Sequence, residues 1–181
     1  MREMILGAIS LTFLLAGCGE EEPVVVAGPE LQELEAEQVM IGVEQFLTSD
    51  GVRRARVSAD TVLVLPDDSR IHLRNLTIRF LGAQGEELSV LTARRGVYDT
   101  RTEDMEAAGN VVVVQPLRGR RLETERLEYA ARTDRLHGDT TFVFTQGGTT
   151  TRGASFVTDP SLDRVEIERP SVVAPRVEVP E

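Results

Sequence analysis

From Arg53 onward the chain alternates between apolar arms and polar turns at a regular beat. Turn residues cluster at 66–69 (PDDS), 82–85 (GAQG), 100–104 (TRTED), 116–119 (PLRG), 131–134 (ARTD), 146–148 (QGG) and 159–161 (DPS). Each cluster holds the Gly, Pro, Asp or Ser that tight turns require. The arms between them run about ten residues and are rich in Val, Leu, Ile, Thr and Phe. Several alternate with period two. Ile71 and Leu73 share one face, then Leu76, Ile78 and Phe80 form the apolar set of the next stretch, and Phe142 and Phe144 share another face. That period belongs to half-buried antiparallel strands, and no arm sustains the 3.6 period of a helix. The pattern predicts an all-β domain over residues 38–175, with 39–47 as its first strand. Residues 18–37 read as a tether, polar at 19–29 and with the composition of one helical turn at 30–37.

The arms also repeat. Residues 91–114 return without a gap as 122–145, an offset of 31, which lays Tyr98 on Tyr129, Met105 on Leu136 and Val111 on Phe142. Residues 57–80 fit the same plan at an offset of 34, and 151–167 continue it. The chain therefore reads as four hairpin-like units. One hairpin cannot bury its apolar face alone, but stacked neighbours can. Arms this long exceed the usual strand of about five or six residues. A bend in mid-arm would let each serve two sheets, and Gly96, Gly109 and Gly138 are candidate sites for it. Gly109-Asn110 suits a bulge, because both residues tolerate positive φ.

Composition narrows the chemistry. Hydrophobic residues make up 41% but aromatics only 4%, with no Trp, so the interior is filled mainly by aliphatic side chains. The net charge of −10 argues against a nucleic-acid partner, which selects a basic face. All 20 basic residues are Arg. A phosphate-binding P-loop and a Schiff-base enzyme both need Lys, so neither is encoded. His72 and His137 lack Cys or carboxylate partners at metal-ligand spacing. The carboxylate pairs Asp67-Asp68 and Glu103-Asp104 fall in turns. No catalytic residue, metal or cofactor is expected.

The amino terminus carries an apolar run at 4–16 (MILGAISLTFLLA), too short to span a bilayer comfortably but suited to a signal peptide. It ends in Leu15-Ala16-Gly17-Cys18, which resembles the lipobox of bacterial lipoproteins. On that reading 1–17 is removed and Cys18, the only cysteine, anchors the protein to a membrane through acyl chains. Residues 176–181 are a short tail.

Three stretches in register carry a family resemblance: 92–99 (TARRGVYD), 108–113 (AGNVVV) and 119–129 (GRRLETERLEY). Together they resemble the LptC family of periplasmic lipopolysaccharide-export proteins and the related LptA and OstA-type domains, over roughly residues 52–170. The resemblance implies an open antiparallel β-jellyroll, folded like a taco, whose apolar interior holds lipopolysaccharide acyl chains. It implies lipid received from an inner-membrane ABC transporter and passed to an LptA-like partner joined by edge-strand pairing. It also points to the periplasm and the inner membrane. Familiar LptC members use a transmembrane helix where this chain carries Cys18, which leaves the identity of the anchoring membrane open.

The inward positions expected to line such a groove are Ala59, Leu73, Phe80, Tyr98, Val111, Val113, Tyr129, Phe142 and Phe144. Each would serve equally as ordinary core. Tyr98 and Tyr129 should lie at the same depth on equivalent strands; a rim position with wet hydroxyls is one reading, and a packing role specific to the repeat is the slightly favoured one. The exposed sheet edges should be 39–47 and the stretch 165–167 running toward Val172-Val173, near Pro170 and Pro175. A structural or adhesive β-lipoprotein without lipid transfer stays open as a second reading. A periplasmic enzyme on the same scaffold lacks a nucleophile.

Overall fold

The computed structural model describes residues 36–49, 51–66, 69–168 and 171–173. The signal segment, Cys18 and most of the tether lie outside the described residues, as do Asp67, Asp68, Pro170, Pro175 and the tail. Among the described residues no helix is long and apolar enough to cross a membrane.

Among the described residues twelve strands form one antiparallel sheet that meanders through β7 and then branches: β1 (Gln38–Ser49), β2 (Val52–Val64), β3 (Arg70–Leu81), β4 (Glu87–Asp99), β5 (Met105–Gln115), β6 (Arg120–Ala130), β7 (Arg135–Gly138), β8 (Phe142–Gln146), β9 (Thr149–Gly153), β10 (Ser155–Thr158), β11 (Val165–Glu168) and β12 (Ser171–Val173). The turn clusters read from the sequence fall between strands, save that Gln146 closes β8. The four hairpin units are β2–β3, β4–β5, β6 with β7 and β8, and β9 through β12, with β1 added in front.

A crease crosses every arm. Gly42 lies opposite Asp60, Asp60 opposite Asn75 and Asn75 opposite Arg94, given the pairs on either side of them. The line continues through Gly109-Asn110 to Glu125. Gly42 (φ 64), Asn75 (φ 51), Gly109 (φ 83) and Asn110 (φ 50) all take left-handed backbone there. The pairing of β4 with β5 is irregular between Thr92 and Arg95, and that of β5 with β6 between Ala108 and Val111. Such bulges bend a strand. The Asn75 amide donates to the Asp60 carboxylate at 2.8 Å, which holds two strands at the fold line.

At the crease the inward phase slips by one residue. In β2 the buried set runs Ala55, Val57, Ala59 and then Val62; in β3, Leu73 and then Leu76, Ile78 and Phe80; in β6, Leu122, Thr124 and then Leu127 and Tyr129. A three-residue step where period two demands two or four keeps the apolar side inward on both sides of the bend. Beyond β6 the arms break outright. β6 pairs with β8 over its first half and β7 over its second. β9 is followed after one residue by β10, and β11 after two by β12. The result is two wings facing each other across a trough. The first wing contains 38–41, 61–64, 70–74, 95–99, 105–108, 126–130, β7, β10 and β11. The second contains 43–49, 52–59, 76–81, 87–93, 111–115, 120–124, β8, β9 and β12.

The glycines divide by role. Gly109 makes the bend expected of it. Gly96 and Gly138 do not, since neither takes positive φ. They instead make room. A Cβ on Gly138 would stand 2.1 Å from the Phe156 ring, and one on Gly96 would stand 2.6 Å from Leu76 Cδ2. The break near Gly138 comes after it, at 139–141.

Among the described residues β1 pairs only with β2, β11 only with β10 and β12 only with β9, so the edges fall where the sequence indicated.

Candidate functional site

All nine expected lining residues face the interior: three line an open cleft, five are sealed, and Tyr129 borders a small gap between the wings. Near β1 the wings leave an apolar cleft of about 80 Å³. Ala59, Leu73 and Tyr98 line it. So do Met40, Val43 and Leu47 from β1, with Val57, Val62, Ile71 and Met105 behind them. The β1 residues are half-buried, since among the described residues β1 has β2 as its one neighbour strand. Their inward alternation was hidden by the crease at Gly42, which separates Met40 from Val43 by three positions.

Phe80, Val111, Val113, Phe142 and Phe144 are sealed. All five are buried, with Val111 and Val113 at 0% exposure. Phe80 meets Tyr129 across the trough at 5.3 Å between centroids, and Phe142 meets Phe156 edge-on at 5.0 Å. Each phenylalanine of the second pair lies over the glycine opposite it, Phe142 over Gly153 and Phe156 over Gly138.

The two tyrosines stand where the repeat placed them. Met105 pairs with Tyr98 on one side and Tyr129 on the other, so all three share one row. The turn residues after them, Glu103 and Asp134, occupy matching repeat positions and both take positive φ. Their environments differ. Tyr98 is half-buried in the cleft. Tyr129 is 5% exposed and its hydroxyl donates to Asp134 at 3.0 Å. Burial pushes both phenols above the ordinary tyrosine value, and Asp134 adds to the effect on Tyr129. Both therefore stay neutral across the physiological range.

At the far end the lips are clasped by the β10–β11 loop, a feature with no local sequence signal. Leu162 takes positive φ and is buried at 1% exposure. The buried Ser89 hydroxyl, on the second wing, donates to the Pro160 carbonyl. Arg120, also from the second wing, donates to the Leu162 carbonyl at 3.1 Å and pairs with Asp163. Arg118 reaches Asp163 at 2.9 Å. Burial pushes the Asp159 carboxyl up, but the Ser161 hydroxyl and the N–H groups of Asp163 and Arg164 outweigh it and hold it low. The Arg120 hydrogen bond holds Asp163 below the usual range.

Both folded-state values are depressed. Their stabilisation is present above the ordinary Asp value of about 4 and is lost as pH falls through the folded values. Urea unfolding between pH 7 and pH 2 is expected to show a smaller acid loss in Asp163→Asn than in the parent. Equal losses would remove Asp163 from the acid response.

The geometry defines a class: an open antiparallel β-jellyroll with an apolar inner face, clasped at one end and open at the other. The chain belongs to the LptC-related family of lipopolysaccharide-assembly proteins, whose family model matches residues 8–169. That places it in lipopolysaccharide transport, among periplasmic components of the cell envelope. The crystal structure of LptH from Pseudomonas aeruginosa, the LptA-homologous periplasmic component of a lipopolysaccharide transport device, is similar with a TM-score of 0.51. The match is 17% identical and covers 67% of this chain and 95% of that one, which supports the jellyroll fold. No curated protein matches the chain.

Proposed function

We propose that this protein is a membrane-tethered carrier that holds lipopolysaccharide acyl chains in its trough and passes them along a periplasmic bridge. The observation that carries this reading is the apolar cleft beside β1, which among the described residues is an edge strand. An acyl chain entering there meets Met40, Val43, Leu73 and Tyr98. Each methylene it buries is worth about 0.8 kcal/mol. A dozen fully buried would bind by roughly 10 kcal/mol and would not be handed on readily. A cleft that covers only part of a chain holds it weakly enough to release.

The lipid arrives from an inner-membrane ABC transporter, since a sequence without Lys encodes no P-loop to supply the energy. It leaves for an LptA-like jellyroll that adds its strands to a free edge, in the manner of β-augmentation. The edge β1 is suited to such pairing: Val39 and Ile41 stay exposed at 37% and 61%. Cys18 supplies the tether.

A photo-crosslinker placed at Met40, Leu73 or Tyr98 in cells is expected to give lipopolysaccharide adducts. Val113, sealed in the same trough, should give none. Absence of adducts at all three open positions would sink the carrier reading in favour of a structural or adhesive lipoprotein.

A further inference from the structure

The lips differ along their length. The clasp closes them at the β10–β11 end. Between the β1–β2 hairpin and the turns that follow Tyr98 and Tyr129 they stay apart. A small gap lined by Leu47, Ala55, Tyr98 and Tyr129 leads outward from the region of the apolar cleft, with Leu47 and Tyr98 common to both. It continues into a polar hollow of about 370 Å³ at the surface, lined by Ser49, Arg54, Arg132, Thr133 and Asp134. Arg54, Ser49 and Tyr129 belong to both the gap and the hollow. An apolar slot that opens into a polar basin matches the two halves of an amphiphile.

Arg54 stands at the junction. It is half-buried, and its charge is felt at the Tyr129 hydroxyl. Among the described residues it forms no ion pair, and it is half-buried, whereas Arg53, Arg94, Arg95, Arg132, Arg152 and Arg164, which also form none there, are exposed. A half-buried guanidinium with no anion among the described residues offers a fork for a phosphate, which it can grip through two parallel N–H bonds. Carboxylates stand there too, Glu103 in the gap and Asp134 in the hollow beyond it. Asp134 already accepts from Tyr129. Carboxylates beside Arg54 and Arg132 disfavour a general anion site, but they accept hydrogen bonds from sugar hydroxyls.

We propose that the gap around Arg54 is a headgroup site for a phosphorylated glycolipid, with Arg54 on a phosphate, Glu103 and Asp134 on sugar hydroxyls, and one acyl chain passing under Tyr98 into the cleft. This rests on the carrier reading and adds to it a fixed place and a chemical preference for the head.

The test uses the full chain and two probes, lipopolysaccharide and the same preparation stripped of phosphate, each displacing a fluorescent fatty-acyl reporter. Arg54→Gln is expected to weaken phosphorylated lipid about ten-fold and leave the stripped lipid unchanged, as one charge-assisted contact implies. Arg53→Gln, matched in charge but stacked outside on Phe46 at 4.3 Å, should change neither. An equal loss for both probes, or none for the phosphorylated one, overturns the headgroup site and leaves the carrier reading standing. Competition by inorganic phosphate alone assigns the site to a free anion and likewise overturns it. If neither probe displaces the reporter from the parent protein, the carrier reading fails and this inference fails with it. Thermal unfolding of Arg54→Gln should match the parent, because the residue lies at the lip outside the core.

Discussion

Gly138→Ala is expected to destabilise the domain by about 3 kcal/mol, the upper end of what overpacking one methyl group costs. The backbone is not the reason, since Gly138 has ordinary φ. The added carbon would lie 2.1 to 2.8 Å from three atoms of the Phe156 ring. That ring is 2% exposed and is held edge-on by Phe142, so it has nowhere to turn. Gly147→Ala makes the contrast. Its φ of 56 is unfavourable for alanine, but nothing lies within 4 Å, and about 1 kcal/mol is expected. Urea unfolding measures both. Repeating Gly138→Ala in a Phe156→Leu background should reduce its cost by at least 1 kcal/mol, because the smaller side chain vacates the space. An unchanged cost would show that the ring does not set the constraint.

The same pair of residues shows where sequence reading stops. Turn chemistry is local, so the seven clusters from 66–69 to 159–161 could be placed without knowing the fold. Alternation is local too, and it put Ile71 and Leu73 on one face and Leu76, Ile78 and Phe80 on another. What alternation could not say is that the two sets belong to one strand that turns a corner at Asn75. That is decided by Asp60 and Arg94 on the neighbouring strands. A glycine in a strand is likewise ambiguous between a bend and a close approach. Gly109 proved to be the first, beside an asparagine that shares its backbone preference, while Gly96 and Gly138 proved to be the second. The trough was legible as a list of inward residues but not as an open half and a sealed half. Sealing depends on Phe80 meeting Tyr129 across the wings, and no spacing along the chain encodes that meeting.

The clasp is the clearest long-range feature, and removing its centre should be the second large effect. Arg120→Ala is expected to cost about 2 to 3 kcal/mol. The side chain is only 10% exposed, and its loss strips the Leu162 carbonyl of a charged donor and Asp163 of its nearer partner. The figure falls below that for a fully buried pair for two reasons. Asp163 is 45% exposed and keeps Arg118, and the Arg120 Nε is buried without a protein partner in the parent. Lysine should recover part of the loss at most, since a point charge cannot replace a fork. Amide exchange discriminates a clasp from mere packing. If the loop holds the lips together, Arg120→Ala should speed exchange across 159–164 and at the lip end of β4 near Ser89, and leave 98–105 at the parent rate. A uniform change across the domain would mean that Arg120 stabilises the fold as a whole. A local change would mean that one end of the trough opens independently of the other, which a carrier needs if it is to release a lipid without unfolding.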